Sequence, residues 1–397
     1  MLRIGHGIPR AVLGAVAALL CAGASPAPPA LLDGQISQLD ALRQQCVAAA
    51  LAVQQRERTL GALDRAIGAM QNGVEVKNQE LAASRHQQEE LLGALERLAR
   101  APPEVLAFAP EGPVDRSRSA ILVAAAVPAL TAKAHELGRQ LAALDAVRGQ
   151  LDARRKEIDD ARSALAKSRD AIAPLVARRN ALIGQLLHED GKTAATNASA
   201  QLGDQASDLF DLIKRADAAT DQRDKELLVR LRILYGVPAK AAPPADPTRP
   251  RTLRALDAAH ADMVWPISGE LLHRFGEADR FGRPNQGLTL QGMPDGLVVA
   301  PFDGRIDYVG RFQGYGLILI IRHPGGYHSL LAGLGHVDVT TGQWLVSGEP
   351  VGSLPDADGK GTGTTFYFEL RRDGRPVDPQ SRLANRDQNT EDTRVHE

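Results

Sequence analysis

Apolar positions fall into two periods along this chain, one helical and one extended. Positions 36, 39, 43, 46, 50 and 53 step by three and four, and a second register runs through 60, 63, 67, 70 and 74. Leu81, Leu91, Leu95 and Leu98 extend it. This is a coiled-coil period with one phase shift near Leu60. A cleaner repeat follows: Leu137, Leu144, Leu151, Ile158, Leu165, Ile172 and Leu186 share a seven-residue spacing. Its companion seam carries Arg148, Arg155, Arg162 and Arg169 between Leu141 and Val176, so long stems must cross the partner helix with their charged heads in water. Pro174 is expected to kink this second helix.

The prolines at 102, 103 and 113 separate the two halves, and a short helix is expected at Arg118–Leu130, ending around Pro128. The economical arrangement is an antiparallel hairpin over residues 33–190, with a helical tip near 101–130. At about 1.5 Å per residue, its arms would measure roughly 90–100 Å. The apolar tip Pro102–Pro110 favours docking or local packing over solvent.

Thr193–Ser199 reads as a polar loop and 204–235 as a helix with an apolar stripe that must bury against something, ended by Gly236 and Pro238. Residues 236–262 form a Pro/Ala-rich linker. From residue 263 to 385 the period shortens. Apolar runs such as Leu297–Ala300, Gly304–Gly310, Gly316–Ile321 and Phe366–Leu370 alternate with Gly, Pro and Asp turns. That pattern predicts a mainly antiparallel β domain, followed by a polar tail at 386–397. The fold class is therefore α+β multidomain: a long coiled-coil hairpin, an apolar helix suited to regulation, and a β domain.

The first 24 residues resemble a cleaved secretory signal, with Arg3 and Arg10 before a short apolar core and Ala22-Gly23-Ala24 as the cleavage pattern. Export to the periplasm is the expected localisation. Beyond the signal one cysteine remains, Cys46, on an apolar heptad position, so it reads as a small buried hydrophobe. A formal net charge of −1 argues against a nucleic-acid partner.

Residues 264–383 resemble the LytM-like (lysostaphin-type) zinc metallopeptidases. The landmarks, in order, are Trp265-Pro266-Ile267-Ser268-Gly269, Arg274-Phe275-Gly276, Ala300-Pro301-Phe302-Asp303-Gly304, Gly314-Tyr315-Gly316, His323-Pro324-Gly325-Gly326-Tyr327, Gly348-Glu349-Pro350-Val351-Gly352 and Phe368-Glu369-Leu370-Arg371. Active members carry His-x-Gly-x-Asp, Ala-His-Leu and His-x-His. This chain has Asn285 and Thr289, then Gly333, then Thr365 and Tyr367 at those positions. The resemblance thus implies five vestigial positions, no metal, no cofactor and no catalytic residue. His323, His328 and His336 show no ligand spacing and read as surface or turn histidines with hydrogen-bond partners.

The order of segments, with the ending Tyr367-Phe368-Glu369-Leu370-Arg371, resembles the EnvC family of murein hydrolase activators. That resemblance implies a non-enzymatic activator of N-acetylmuramoyl-L-alanine amidases in cell division. Its coiled coil is implied to meet an FtsEX-like membrane complex, with peptidoglycan as a further candidate partner. A vacated peptidase groove suits a partner's polypeptide. Its expected lining is Gln286, Thr289, Tyr315, Ile318, Leu331, Tyr367 and Arg371. The helix at 204–235 either braces the coil or covers that groove. A divergent zinc endopeptidase and a passive murein-binding scaffold are the alternatives.

Overall fold

A computed structural model of the chain describes residues 29–99, 113–187, 192–234, 246–256, 263–278, 282–356 and 363–384. The signal segment, the tip at 101–112, most of the linker and the C-terminal tail lie outside the described residues. The chain divides into two compact units, Leu51–Ala171 and the remainder, Met1–Ala50 with Ile172–Glu397.

Two long helices, α1 (Pro29–Ala99) and α2 (Pro113–Leu187), supply the coiled-coil repeat. Within Leu51–Ala171 they pair antiparallel: Arg169 meets Glu57 at 2.8 Å, Arg162 meets Asp64 at 3.5 Å, and Arg148 meets Asn78 at 3.4 Å. The partner number on α1 rises as that on α2 falls, as an antiparallel hairpin requires. Val53, Leu60, Ile67 and Leu81 on α1 and Leu144, Leu151, Ile158 and Leu165 on α2 are buried. The arginine seam keeps its charged ends near solvent, as its stems predict.

One expectation fails here. The short tip helix expected at Arg118–Leu130 is not a separate element; α2 begins at Pro113 and continues through Pro128 and Pro174 to Leu187. Proline needs no N–H at the first helical position, so Pro113 starts the helix at little cost. The side chains of Leu91, Leu95 and Leu98 lie outside the described residues.

In the other unit, the first part of α1 and the last part of α2 form a small core of Leu39, Leu42, Leu182, Ile183 and Leu186. Cys46 is fully buried beside them on α1, and burial raises its thiol pKa. These helix segments are bolted to the β domain by polar anchors. Arg179 Nη1 donates to Glu349 at 2.8 Å and to the Pro350 carbonyl at 3.1 Å. Asn180 Nδ2 donates to the Asp338 carbonyl at 2.8 Å. Arg43 Nη2 donates to the Thr248 carbonyl at 2.6 Å. The linker's described end is therefore fastened, with Asp246 accepting from Thr248 and from Trp344 Nε1.

The expected loop at Thr193–Ser199 is helical: α3 spans Lys192–Gln205. Tertiary contact decides this. Gly203 lies so close to the sheet that a Cβ there would meet the Tyr308 hydroxyl at 2.3 Å, and Ser199 Oγ lies 2.7 Å from Thr341 Oγ1. The apolar helix expected at 204–235 begins later, as α4 (Leu209–Leu234). Asp208 sets its start as the N-cap by accepting from the Asp211 backbone N–H at 2.8 Å, while the Asp211 carboxylate accepts from the Ser207 backbone N–H at 3.1 Å.

Among the described residues the β domain has eleven strands: β1 (Gly269–His273), β2 (Leu288–Gly292), β3 (Leu297–Val299), β4 (Gly304–Phe312), β5 (Gly316–His323), β6 (Tyr327–Leu334), β7 (His336–Val337), β8 (Trp344–Leu345), β9 (Pro350–Ser353), β10 (Thr364–Arg372) and β11 (Arg375–Val377). The main sheet runs β1-β2-β10-β6-β5-β4-β8, with β11 paired to β10, and a smaller sheet runs β3-β9-β7. Every strand pair is antiparallel.

Strand alternation gives the main sheet two distinct faces. Leu319, Ile321, Leu331, Phe366, Phe368 and Leu370 enter the core shared with Val298, Phe302 and Val351. Ile318, Ile320, Leu330, Ala332 and Tyr367 face the other way, joined by Tyr308 and Phe312, and receive Leu209, Leu212, Ile213 and Ala216 of α4. A register shift between Ile306 and Tyr308 lets β4 place one of these two residues in each core.

Candidate functional site

The five positions expected to be vestigial lie on or beside three neighbouring strands. Thr289 on β2 stands opposite Tyr367 on β10, and Tyr367 stands opposite Ala332 on β6, next to Gly333. Thr365 lies two residues earlier on β10 and is exposed. Asn285 sits just before β2, half-buried, donating through Nδ2 to the Arg274 carbonyl at 3.3 Å.

Tyr367 organises the centre. Its ring packs over Gly287, where a Cβ would meet Tyr367 Cζ at 2.9 Å and the Phe368 carbonyl oxygen at 2.4 Å. Its hydroxyl donates to Glu369 Oε2 at 2.8 Å, and Glu369 Oε1 accepts from Arg371 Nε at 2.6 Å. Arg371 continues to the Gly374 carbonyl at 3.1 Å and to Gln286 Oε1 at 3.5 Å. Tyr367, Glu369 and Arg371 are alternate residues of one strand, so they share a face.

Burial raises the Glu369 carboxyl above its ordinary range, with Arg371 pulling the other way. Burial, then the neighbouring Glu369, raises the Tyr367 phenol far above its ordinary range, so it remains protonated and acts as a donor. Tyr315 packs beside Tyr367 with ring centroids 6.1 Å apart, and its phenol is likewise raised by burial.

Helix α4 lies on this face. Leu209, Leu212, Ile213 and Ala216 repeat at helical spacing and cover Ile318, Leu330 and Ala332, with Tyr315 and Tyr367 packed at the margin. Phe210 reaches the turn at Gly374, where a Cβ would come within 2.2 Å of its ring. The next turns of the same helical face are charged: Asp217 bonds His328 Nε2 at 2.9 Å, Asp221 bonds Arg322 at 2.9 Å, and Asp224 pairs with Arg305.

Of the seven expected groove residues, Tyr315, Ile318 and Tyr367 come together under or beside α4, and Gln286 and Arg371 meet at one end. Thr289 adjoins Tyr367 through strand pairing. Leu331 is a correction: it lies in the interior core on the opposite face, because Leu330 and Ala332 take the outer positions of β6. The histidines also depart from a surface reading. His323 is fully buried between the Asp303 carbonyl (2.9 Å) and Ser329 Oγ (2.7 Å), and His328 is buried on β6. His336 is exposed and pairs with Asp338 at 3.2 Å. Glu369 escaped the sequence reading although it falls on the same period-two face as Tyr367.

Residues 283–379 match the family model described as Peptidase family M23. The C-terminal β domain is thus an M23, or LytM-like, domain. Its curated relatives include the murein hydrolase activator EnvC of Escherichia coli, 32% identical over 129 residues, which cover 32% of this chain and 30% of that protein. They also include the murein hydrolase activator NlpD of Escherichia coli, 30% identical over 31% of each chain. A zinc-containing peptidase from Vibrio cholerae is a solved structure similar to it, with 23% identity, a TM-score of 0.28, and coverage of 34% of this chain and 41% of that one. The matched segment spans about a third of the length of the curated relatives. No described helix is long and apolar enough to cross a membrane.

Proposed function

We propose that this protein is a non-enzymatic, periplasmic activator of N-acetylmuramoyl-L-alanine amidases during cell division. The amidase engages the outer face of the main sheet, and α4 is a lid over that face. The observation that carries this reading is the covering of Ile318 and Ala332, beside Tyr315 and Tyr367, by the apolar stripe of α4. A face that accepts Leu209, Leu212, Ile213 and Ala216 has the shape and chemistry to accept a partner's amphipathic helix. The contact is helix-in-groove rather than strand addition.

The residues at the vestigial positions do not fit zinc. Zinc sites are built from thiolate, imidazole and carboxylate. Here the positions offer an amide committed to Arg274, a threonine hydroxyl, and a phenol committed to Glu369. The relatives named as activators rather than enzymes support the same reading.

The coiled coil is the natural input. Its first and last turns are tied to the β domain through Arg43, Arg179 and Asn180, so a pull on either helix by an FtsEX-like complex reaches the domain that carries α4. Moving a lid from 1:99 to 99:1 open takes about 5.5 kcal/mol. Peptidoglycan is a further candidate ligand.

Dye release from labelled sacculi tests the proposal, using amidase alone, this protein alone, and both. Stimulation only in the mixture is expected, and Leu212→Asp should raise it without any input to the coil. Hydrolysis by this protein alone would overturn the non-enzymatic role. Unchanged stimulation by Leu212→Asp would overturn the lid.

A further inference from the structure

A second polar cluster lies away from the vestigial centre. Asp217 of α4, Asp307 of β4 and His328 of β6 offer three ligand atoms that all lie within 4.8 Å of one another. His328 stands opposite Arg371, whereas the vestigial centre is at Ala332 opposite Tyr367. Four residues of strand separate the two, roughly 13 Å at about 3.3 Å per residue.

Asp307 is the unusual member. Its side chain is fully buried, and neither carboxylate oxygen has a hydrogen-bond partner. Buried polar groups are nearly always partnered, and here Oδ2 has only the Arg322 guanidinium at 3.3 Å while Oδ1 has no donor, so the carboxylate keeps open ligand capacity. The local charge points the same way. Asp217, Asp221 and Asp307 share one guanidinium, that of Arg322, at 4.0, 2.9 and 3.3 Å. Three carboxylates therefore face a single guanidinium. Arg371, the cross-strand neighbour of His328, is already committed to Glu369.

The spacing suits a small divalent ion. Tetrahedral zinc with bonds of about 2.0–2.1 Å sets its ligands about 3.3 Å apart. His328 Nε2 lies 2.9 Å from Asp217 Oδ1 and 3.8 Å from Asp307 Oδ2, on either side of that value. The donor set of one imidazole and two carboxylates is a zinc-type set with room for water as the fourth ligand.

We propose that Asp217, Asp307 and His328 form a binding site for one zinc-class divalent cation that pins α4 to the main sheet. Two ligands come from the sheet and one from the helix, so binding requires α4 to be docked. The ion would hold the lid shut, a consequence that rests on the lid reading above.

The test uses the full mature chain stripped with EDTA at neutral pH. Zinc is titrated by calorimetry and cobalt by visible absorption, with hydrogen exchange of α4 measured alongside. One equivalent of zinc should bind, a tetrahedral cobalt spectrum should appear, and α4 amides should gain protection. Asp307→Asn and the half-exposed Asp217→Asn should each weaken binding by more than about tenfold. Arg322→Gln, which removes a neighbouring cation, should bind zinc more tightly. Absence of saturable binding, or binding that both aspartate variants leave intact, would overturn the site. Zinc binding with amide protection, but no effect of zinc on amidase stimulation, would retain the site and overturn only the lid.

Discussion

Arg179 and Glu349 form an ion pair at 2.8 Å in which both side chains are completely buried. Arg179 belongs to α2 and Glu349 to the turn before β9, so the contact fastens the coiled-coil base to the β domain. Glu349 also accepts from the Val346 backbone N–H at 2.9 Å, and Arg179 from the same guanidinium reaches Asn180 Oδ1. Replacing one partner leaves the other charged and buried, which costs about 3–5 kcal/mol. Arg179→Met should therefore lower the urea midpoint strongly, and Arg179→Met with Glu349→Leu should recover part of the loss. A double-mutant cycle in which the two losses simply add would show that the pair is not coupled.

His323 gives the fold a defined response to acid. Its ring donates from Nδ1 to the Asp303 carbonyl and accepts at Nε2 from Ser329, so the neutral form fills both sites. Burial lowers its pKa from 6.5 to about 4. The unfolded chain thus binds a proton that the folded chain refuses between these two values. Its contribution is complete above pH 6.5, falls as the pH drops towards 4, and is constant below. The full swing is about 3 kcal/mol. Melting temperatures from pH 7 to 4 should decline, and His323→Gln should flatten that decline. An unchanged slope in the variant would assign the acid response to other groups.

The extent to which the sequence announced all this varies by element. Seven-residue spacing at Leu144, Leu151, Ile158 and Leu165 placed the coil core because burial follows one helical face. The strands were legible from alternation, and Tyr315, Ile318 and Tyr367 were recoverable as one surface. Leu331 was misplaced because a run of apolar residues, Leu330-Leu331-Ala332, does not reveal which phase of a two-sided sheet faces inward. The helix α3 was missed because its Thr, Asn and Ser content has weak helical propensity, and contact at Gly203 and Ser199 overrides that preference. The Asp217–Asp307–His328 cluster joins three separate elements and left no local signal.

Gly333, where the family resemblance implies a lost histidine, holds a backbone conformation that glycine alone adopts easily. Its φ is +86°, and a Cβ would lie 2.6 Å from the Thr365 carbonyl oxygen. Any side chain there meets both strain and a clash with backbone that cannot swing aside. Gly333→Ala should cost about 1–3 kcal/mol, and Gly333→His at least as much. Circular dichroism melts would check this. A histidine variant as stable as the parent would mean that the turn relaxes easily and that the glycine carries no constraint.

Tyr367 offers the sharpest probe of the vestigial centre, because removing one oxygen leaves its ring in place over Gly287. The hydroxyl donates to Glu369 Oε2, while Arg371 serves Oε1. In Tyr367→Phe, Oε2 loses that donor inside a buried site, a penalty of about 1–3 kcal/mol. Glu369 is already raised by burial, and the Tyr367 hydrogen bond is one of the contacts holding it down. Its carboxyl should therefore titrate at still higher pH in the variant, which carbon-13 NMR of labelled glutamate can follow. The apolar contact with α4 should survive, so hydrogen exchange of α4 should stay near the parent. If the variant frees α4 instead, the hydroxyl network and not the apolar stripe of Leu209, Leu212, Ile213 and Ala216 is what keeps the helix down.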